Sequence, residues 1–258
     1  MTESEIRNHL TTRLFGKTIY AFDSIDSTNT KAKAFALDGA EEGTLVIAEE
    51  QTAGKGRHGR IWLSENGKNL TFSVLLRPVI PVERIGIISL FAGLAVAEAI
   101  ENAIGIPPEC KWPNDVLLNG KKVCGILSET VIQQNRLSSI VVGIGINVNQ
   151  SQFAAEISDT GASLLLATGK TVNRLQLLSL TLERLEYWYH KISSGAFLEI
   201  VNRWKLFCTM DGRTISVDRL GHTITGIVRG FAEDGGLLLQ VDDKELKFLS
   251  GDVTLLHY

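Results

Sequence analysis

Residues 44–78 constrain the fold more than any other stretch. TLVIAEE reads as an apolar strand, it runs into the loop QTAGKGRHGRIW, and NLTFSVLLRP is a second apolar strand closed by Pro78. The loop holds a literal G-x-G-x-x-G at Gly54, Gly56 and Gly59. In a dinucleotide-binding fold that pattern lies between a strand and a helix, with a ribose-binding acid about twenty residues on. Here a strand stands where the helix is required, and the stretch that should supply the acid ends at Arg77. Strand, loop, strand therefore excludes that arrangement. A phosphate-binding P-loop fails as well, because the GKT triplets at Gly16 and Gly169 have Thr11 and Leu164 where the first glycine belongs.

The rest of the chain reads as alternating elements. Ile6, Leu10 and Leu14 recur at helical spacing before Gly16, predicting one short helix. TIYAFDSI (18–25) has strand character, and DSTN then offers capping side chains to an Ala- and Lys-rich helix ending near Gly39. Residues 83–105 are apolar nearly all round and predict a buried helix on a sheet. Asn119-Gly120 between apolar runs predicts a tight hairpin, and RLSSIVVGIGINV pairs next. Two helices follow between residues 173 and 208, their Leu and Trp stripes reading as core. From Asp211 short strands alternate with DG, GH, EDGG and SGD turns, which predicts a small β-barrel domain.

Three separated segments end apolar strands in small or polar residues. In the first, glycines let backbone N–H groups close on an anion while Lys55, Arg57 and Arg60 add charge, which points to phosphate, with a solvated surface turn as the alternative. His58 there is a general-base candidate or simply another polar loop residue. In the second, KWPNDVLLNGKKVCGI, Asn114 and Asp115 sit at a turn, and Lys122 lies on a strand that becomes apolar at Val123 and Ile126. A lysine among buried neighbours is costly unless it meets an anion. Asp115 is equally explained as a cap or an ion-pair partner. In the third, Gly143 and Gly145 interrupt a strand, marking a bulge or a close approach, with Asn147 and Asn149 as candidate amide ligands.

Charge and cysteine content narrow the classes further. A net charge of −3 over 258 residues argues against general nucleic-acid coating, so any polyanion must be met locally. Three cysteines without metal-ligand spacing suit a reduced, cytoplasmic chain. No apolar run approaches the roughly 18 residues a membrane span needs, and the first residues hold no signal-type segment. No Ser-His-Asp set, H-E-x-x-H pair or reactive cysteine emerges. Cationic groups without a nucleophile suit phosphoryl or nucleotidyl chemistry, in which substrate groups attack one another while the protein positions and screens them.

Taken in order, DSTN (26–29), EEQTAGKGRHGRIW (49–62), KWPNDVLLNGKKVCGI (111–126), GIGIN (143–147) and SGDVTLL (250–256) resemble the biotin protein ligases. The resemblance implies an α/β (α+β) fold: a mixed sheet covered by helices, of the class II synthetase-like type, over residues 1–210, and a small SH3-like β-barrel over 211–258. It implies ATP-dependent conversion of biotin to biotinyl-5'-AMP with release of pyrophosphate, then transfer to a lysine of a biotin carboxyl carrier domain of a carboxylase. Lys122 and Arg57 would be catalytic. Ser27, Thr28, Asn29, Gln51, Gly54, Lys55, Gly56, Arg57, Trp62, Lys122 and Gly125 would form the biotin site. Arg57, Arg60, Asn114, Lys122 and Asn147 would hold ATP, the two asparagines with its Mg²⁺, and no dedicated protein metal site is implied. Lys55 and His58 replace the more usual basic residues, and a lysine keeps the charge without the planar fork. With DSTN beginning at residue 26, no operator-binding helix-turn-helix is expected, no membrane is involved, and a homodimer is compatible. A lipoate or octanoate transferase of the same fold is the nearest rival, though the Arg-Ser-Gly-Gly-Gly type of loop is missing; a nucleic-acid-binding module is a more distant one.

Overall fold

The computed structural model describes residues 1–219 and 221–256. Helix α1 (Glu3–His9) opens on a capping box between Thr2 and Glu5. It stops earlier than the spacing of Leu10 and Leu14 suggests, because the N–H groups of Arg13, Leu14 and Phe15 donate to the Glu186 carboxylate. Those donors are the ones a continuing helix would have used. Strand β1 (Ile19–Ile25), helix α2 (Thr28–Leu37) and strands β2 (Leu45–Gln51) and β3 (Leu70–Leu76) follow, the last two bracketing the basic loop as expected. After α3 (Ile87–Ile104) come β4 (Glu109–Lys111), β5 (Asp115–Leu118), β6 (Lys121–Gln133) and β7 (Arg136–Ile146). Asn119 and Gly120 turn the β5–β6 hairpin at φ 53° and 74°, the left-handed pair a two-residue turn requires. Gln134 and Asn135 do the same between β6 and β7 at φ 50° and 60°, without a glycine to announce it.

These seven strands form one mixed sheet in the order β1-β2-β3-β7-β6-β5-β4, with β1 and β2 parallel and the other neighbours antiparallel. Alternation along the strands separates its faces. Val46, Leu75, Val131 and Val141 meet Ala32 and Ala36 of α2 on one side. Leu45, Ile47, Phe72, Val74 and Ile144 join the larger core with α3 on the other. A short α4 (Leu164–Thr168), then α5 (Arg174–Ser193) and α6 (Phe197–Lys205), complete that layer. Contrary to the sequence expectation, one helical stretch, Val82–Ile104, is long and apolar enough to cross a membrane. Thirteen of the 18 residues of α3 are buried in the protein itself, against α5, α6 and the sheet.

The C-terminal strands correct a second expectation. β8 (Thr214–Arg219), β9 (His222–Phe231), β10 (Leu237–Val241), β11 (Lys244–Phe248) and β12 (Asp252–Leu255) make an antiparallel sheet in the order β11-β10-β9-β8-β12. Among the described residues its edge strands do not pair with each other, so no barrel closes. A barrel buries its apolar face by wrapping around itself. Here Ile215, Val217, Val228, Leu237 and Leu239 belong to the same core as Trp112, Trp204, Phe207 and Met210, so the rest of the molecule covers that face. Trp112 Nε1 donates to Gly235 O at 2.9 Å and the Trp204 ring meets Phe231 edge-on, fixing the join.

Candidate active site

A cavity of about 530 Å³ opens between the N-terminus of α2, the ends of β2 and β7, the basic loop, β6 and β12. Ser27, Thr28 and Asn29 enter it from the first turn of α2 and are nearly fully buried. Ser27 is the N-cap, its hydroxyl accepting from Thr30 N–H. Thr28 donates from N–H and hydroxyl to Gln51 Oε1 at 2.8 and 3.0 Å, joining the α2 cap to the end of β2. Gly143 and Gly145 lie in regular register on β7 rather than in a bulge. They serve close approach: a Cβ on Gly143 would stand 2.1 Å from Asn29 Oδ1, and one on Gly145 2.4 Å from the Trp62 ring. Gly125 on β6 gives the same ring its second clearance, 2.9 Å.

The loop is closed on itself. Lys55 and Ile61 form a bridge, Gly56 N–H donates to Arg60 O at 2.7 Å, and Trp62 N–H donates to Gly54 O at 3.0 Å. Gly54 stands apart from the other expected biotin residues: it lies outside the cavity lining and serves the crossing of the loop's two arms, since a Cβ there would meet Trp62 O at 2.3 Å. Lys55, Gly56, Arg57, Arg60 and Trp62 all line the cavity. Arg57 turns inward, donating to Asn114 Oδ1 at 2.9 Å and to Gly251 O at 3.3 Å. Burial lowers its pKa from the ordinary arginine value, with Asp252 and Asp115 acting the other way. Arg60 is largely exposed and forks onto both oxygens of Asp252 at 2.8 and 2.6 Å. Asp252 also draws in Arg57 at 3.8 Å and His58 at 3.7 Å.

Lys122 projects from β6 into the same space, its ammonium 5.8 Å from the Trp62 ring centroid and 2.6 Å from Asp115 Oδ1. That contact is ionic and lacks the alignment of a hydrogen bond. Asp115 is thus the ion-pair partner, one of the two structural readings the sequence allows. Asn114 Nδ2 donates to Ile126 O at 2.7 Å, fixing the amide whose oxygen receives Arg57. Asn147 is buried, its Nδ2 donating to Ala162 O at 3.1 Å while its Oδ1 has no partner among the described residues. Asn149 does not reach the cavity: it exchanges hydrogen bonds with the Val172 backbone.

Several lining residues escape the sequence reading. Lys111, opposite Asp115 in the β4–β5 ladder, brings another cation whose pKa burial lowers while Asp115 supports it. Phe153 and Ile157 supply an apolar wall. Asp252 comes from a strand nearly two hundred residues away from the loop it holds. Lys111 carried a local signal, a charge at the head of the KWPND stretch, and Asp252 lay within the SGDVTLL stretch without being singled out. Burial raises the thiol pKa of Cys110, of Cys124 and of Cys208, the last to about 12, so none is poised as a thiolate nucleophile. The arrangement can neutralise a polyanion beside the apolar wall of Phe153 and Ile157.

The Biotin/lipoate A/B protein ligase family matches residues 21–147, and the biotin protein ligase C-terminal domain matches 212–256. The chain is 37% identical over 257 residues to the bifunctional ligase/repressor BirA of Bacillus subtilis, covering 99% of this chain and 79% of the relative. It is 35% identical to the biotin–[acetyl-CoA-carboxylase] ligase of Mycobacterium tuberculosis, covering 88% and 85%. The biotin protein ligase of Aquifex aeolicus, solved in complex with biotin and ATP, superposes with a TM-score of 0.82 at 34% identity, covering 94% of this chain and all of that one.

Proposed function

The chain belongs to the biotin protein ligase family, and from its activity, ATP-dependent activation of biotin and transfer to a biotin carrier protein, we propose how its own residues divide the work. The observation that carries the reading is the convergence of Lys122, Arg57 and Lys111 on one cavity whose described lining holds no cysteine and no histidine to activate a hydroxyl. The biotin carboxylate attacks the α-phosphate of ATP, pyrophosphate leaves, and a carrier lysine amine then displaces AMP from the mixed anhydride. Both half-reactions gather negative charge on phosphate oxygens, and fixed cations in a partly dry site stabilise it.

In this reading the bicyclic ring lies against the Trp62 ring, which itself packs on Gly125 and Gly145, with Thr28, Asn29 and Gln51 at its polar edge. Lys122 sits between carboxylate and α-phosphate, exchanging Asp115 for substrate oxygens as they arrive. Arg57 closes the loop over the phosphates, Arg60 and Lys111 screen their outer side, and Phe153 and Ile157 cover the base. Mg²⁺ keeps several waters and takes only one or two protein oxygens beside substrate phosphates. The buried Oδ1 of Asn147, without a partner among the described residues, fits that demand, and Asn114 lines the same cavity. The ion would supply further charge neutralisation at the phosphates.

The acceptor is inferred to be the carboxyl carrier domain of a biotin-dependent carboxylase, in the cytoplasm. A catalytic domain ending near residue 210 and a C-terminal domain beginning at Asp211 complete the proposal. The test is mass spectrometry of an isolated carrier domain incubated with this protein, ATP and Mg²⁺, with biotin in one arm and lipoate in the other. Modification of one lysine with biotin alone is expected; pyrophosphate release with lipoate and none with biotin would overturn it.

A further inference from the structure

Glu129 lies on β6 outside the substrate cavity, yet a continuous polar chain connects it to the cavity's buried end. Lys33 Nζ donates to Glu129 Oε1 at 2.8 Å from the surface side. On the inner side Asn29 Nδ2 donates to Glu129 Oε2 at 2.9 Å and to Leu127 O at 3.2 Å, which uses both of its N–H bonds. Asn29 Oδ1 therefore turns to Ser73, whose hydroxyl lies 2.6 Å away, and Ser73 Oγ also stands 2.8 Å from Thr28 Oγ1. Thr28 in turn holds Gln51 Oε1.

Donor and acceptor counting fixes the Glu129–Asn29–Ser73 part of this chain, while the single Thr28 hydroxyl hydrogen goes either to Ser73 or to Gln51. An ionised carboxylate only accepts, an amide nitrogen only donates, and a serine hydroxyl has one hydrogen to give. With Glu129 charged, Asn29 presents its nitrogen to β6, and Ser73 must give its hydrogen to Asn29 Oδ1. Gln51 Oε1 is committed to the Thr28 N–H, which leaves Gln51 Nε2 as a donor. The ligand then meets one unused acceptor position at Asn29 Oδ1 and one donor at Gln51.

We infer that Glu129 and Ser73 are positioning residues that set the hydrogen-bond polarity of the acyl-substrate end of the site from outside the cavity. The inference rests on the reading that Asn29 and Gln51 face biotin. Burial opposes ionisation of Glu129, but the hydrogen bonds from Lys33 and Asn29 outweigh it and hold the carboxyl below its ordinary range, in keeping with the acceptor role. Replacing the carboxylate by an amide lets either end face Asn29, so the asparagine is no longer held in one orientation. Leu127 O still favours that orientation through its longer bond, so the effect is a weakening rather than a loss.

The experiment measures the KM for biotin and the KM for ATP by pyrophosphate release in Glu129→Gln, Ser73→Ala and Asn29→Ala. Glu129→Gln and Ser73→Ala are each expected to raise the biotin KM about tenfold, the size of one hydrogen bond to a charged or committed partner, with ATP KM and kcat within about twofold of the parent on the same scale. An unchanged biotin KM in both variants overturns the inference, as does an ATP KM that rises in step, the mark of general loosening. If Glu129→Gln fails to fold, Ser73→Ala decides, since it leaves the Glu129–Lys33 pair in place. Asn29→Ala separates the two levels: if it too leaves biotin KM unchanged, the underlying assignment of the site is wrong, whereas a raised KM there beside unaffected Glu129 and Ser73 variants sinks the positioning role alone.

Discussion

Lys122 concentrates the electrostatic demand of the reaction in one side chain. It is half-buried, paired with Asp115 and placed over Trp62, so its charge acts in a medium poorer than water at screening. Removing one fixed donor from a developing oxyanion costs about 10²–10³ in rate, and Lys122→Ala is expected to lose that much in pyrophosphate release. Its melting temperature should fall only slightly, because the change removes no core volume. Unaltered pyrophosphate release would refute the role. Glu129 makes a second residue-scale prediction, for stability. Facing Lys33 and Asn29, with Lys55 nearby, its native pKa lies below the unfolded value. The stabilisation is therefore complete above the ordinary carboxylate range of about 4 and is lost as pH falls through the native pKa. Melting temperature followed downward from neutral pH should decline less steeply in Glu129→Gln than in the parent; parallel curves would count against the linkage.

Among the elements, the basic loop shows which contacts matter by how deeply they are placed. Arg57 is mostly buried, with hydrogen bonds to Asn114 and Gly251, while Arg60 is about 60% exposed on its Asp252 pair. A hydrogen bond to a buried charged group is worth about 1.5–3 kcal/mol, whereas an exposed ion pair contributes about 0–1 kcal/mol. Arg57→Gly is therefore expected to release biotinyl-5'-AMP about tenfold faster or more, and Asp252→Asn by about fivefold at most. Biotinylation of a bystander protein's lysines reads that leak, and equal retention in both variants and the parent would contradict the ranking. The two halves of this device were unequally legible. Its glycines and cations lie within seven consecutive residues, and the flanking strands declare themselves by local pattern. Asp252 arrives from β12 with nothing local to distinguish it from any turn aspartate, and Glu129 reads as an ordinary polar position on an alternating strand. Asn119-Gly120 was readable because a left-handed pair is a local demand; the Gln134-Asn135 turn meets the same demand with residues that do not advertise it.

At the scale of the molecule, alternation tells which face of a strand is apolar, but not what will cover it. That is why the C-terminal strands were legible individually while the open sheet was not: closure depends on Trp112, Trp204 and Phe207, which lie outside the segment. The same packing makes the two sheets one cooperative body. Ile215, Val217, Val228, Leu237 and Leu239 are almost fully buried in the shared core, and burying such a side chain stabilises by about 1.5–3 kcal/mol. Five of them contribute about 10 kcal/mol, as much as the whole net stability of a typical domain, about 5–15 kcal/mol. Urea unfolding followed by tryptophan fluorescence should then coincide with unfolding followed by far-ultraviolet circular dichroism. All four tryptophans precede residue 211, so fluorescence reports on the catalytic portion while circular dichroism reports on the whole chain. A chain ending at Asp211 should fail to give a cooperative transition, because Trp112 and Trp204 lose the surface that covers them. If that shortened chain instead melts at the temperature of the full one, the C-terminal sheet is an appendage, and its hold on the loop through Asp252 does not depend on a common core.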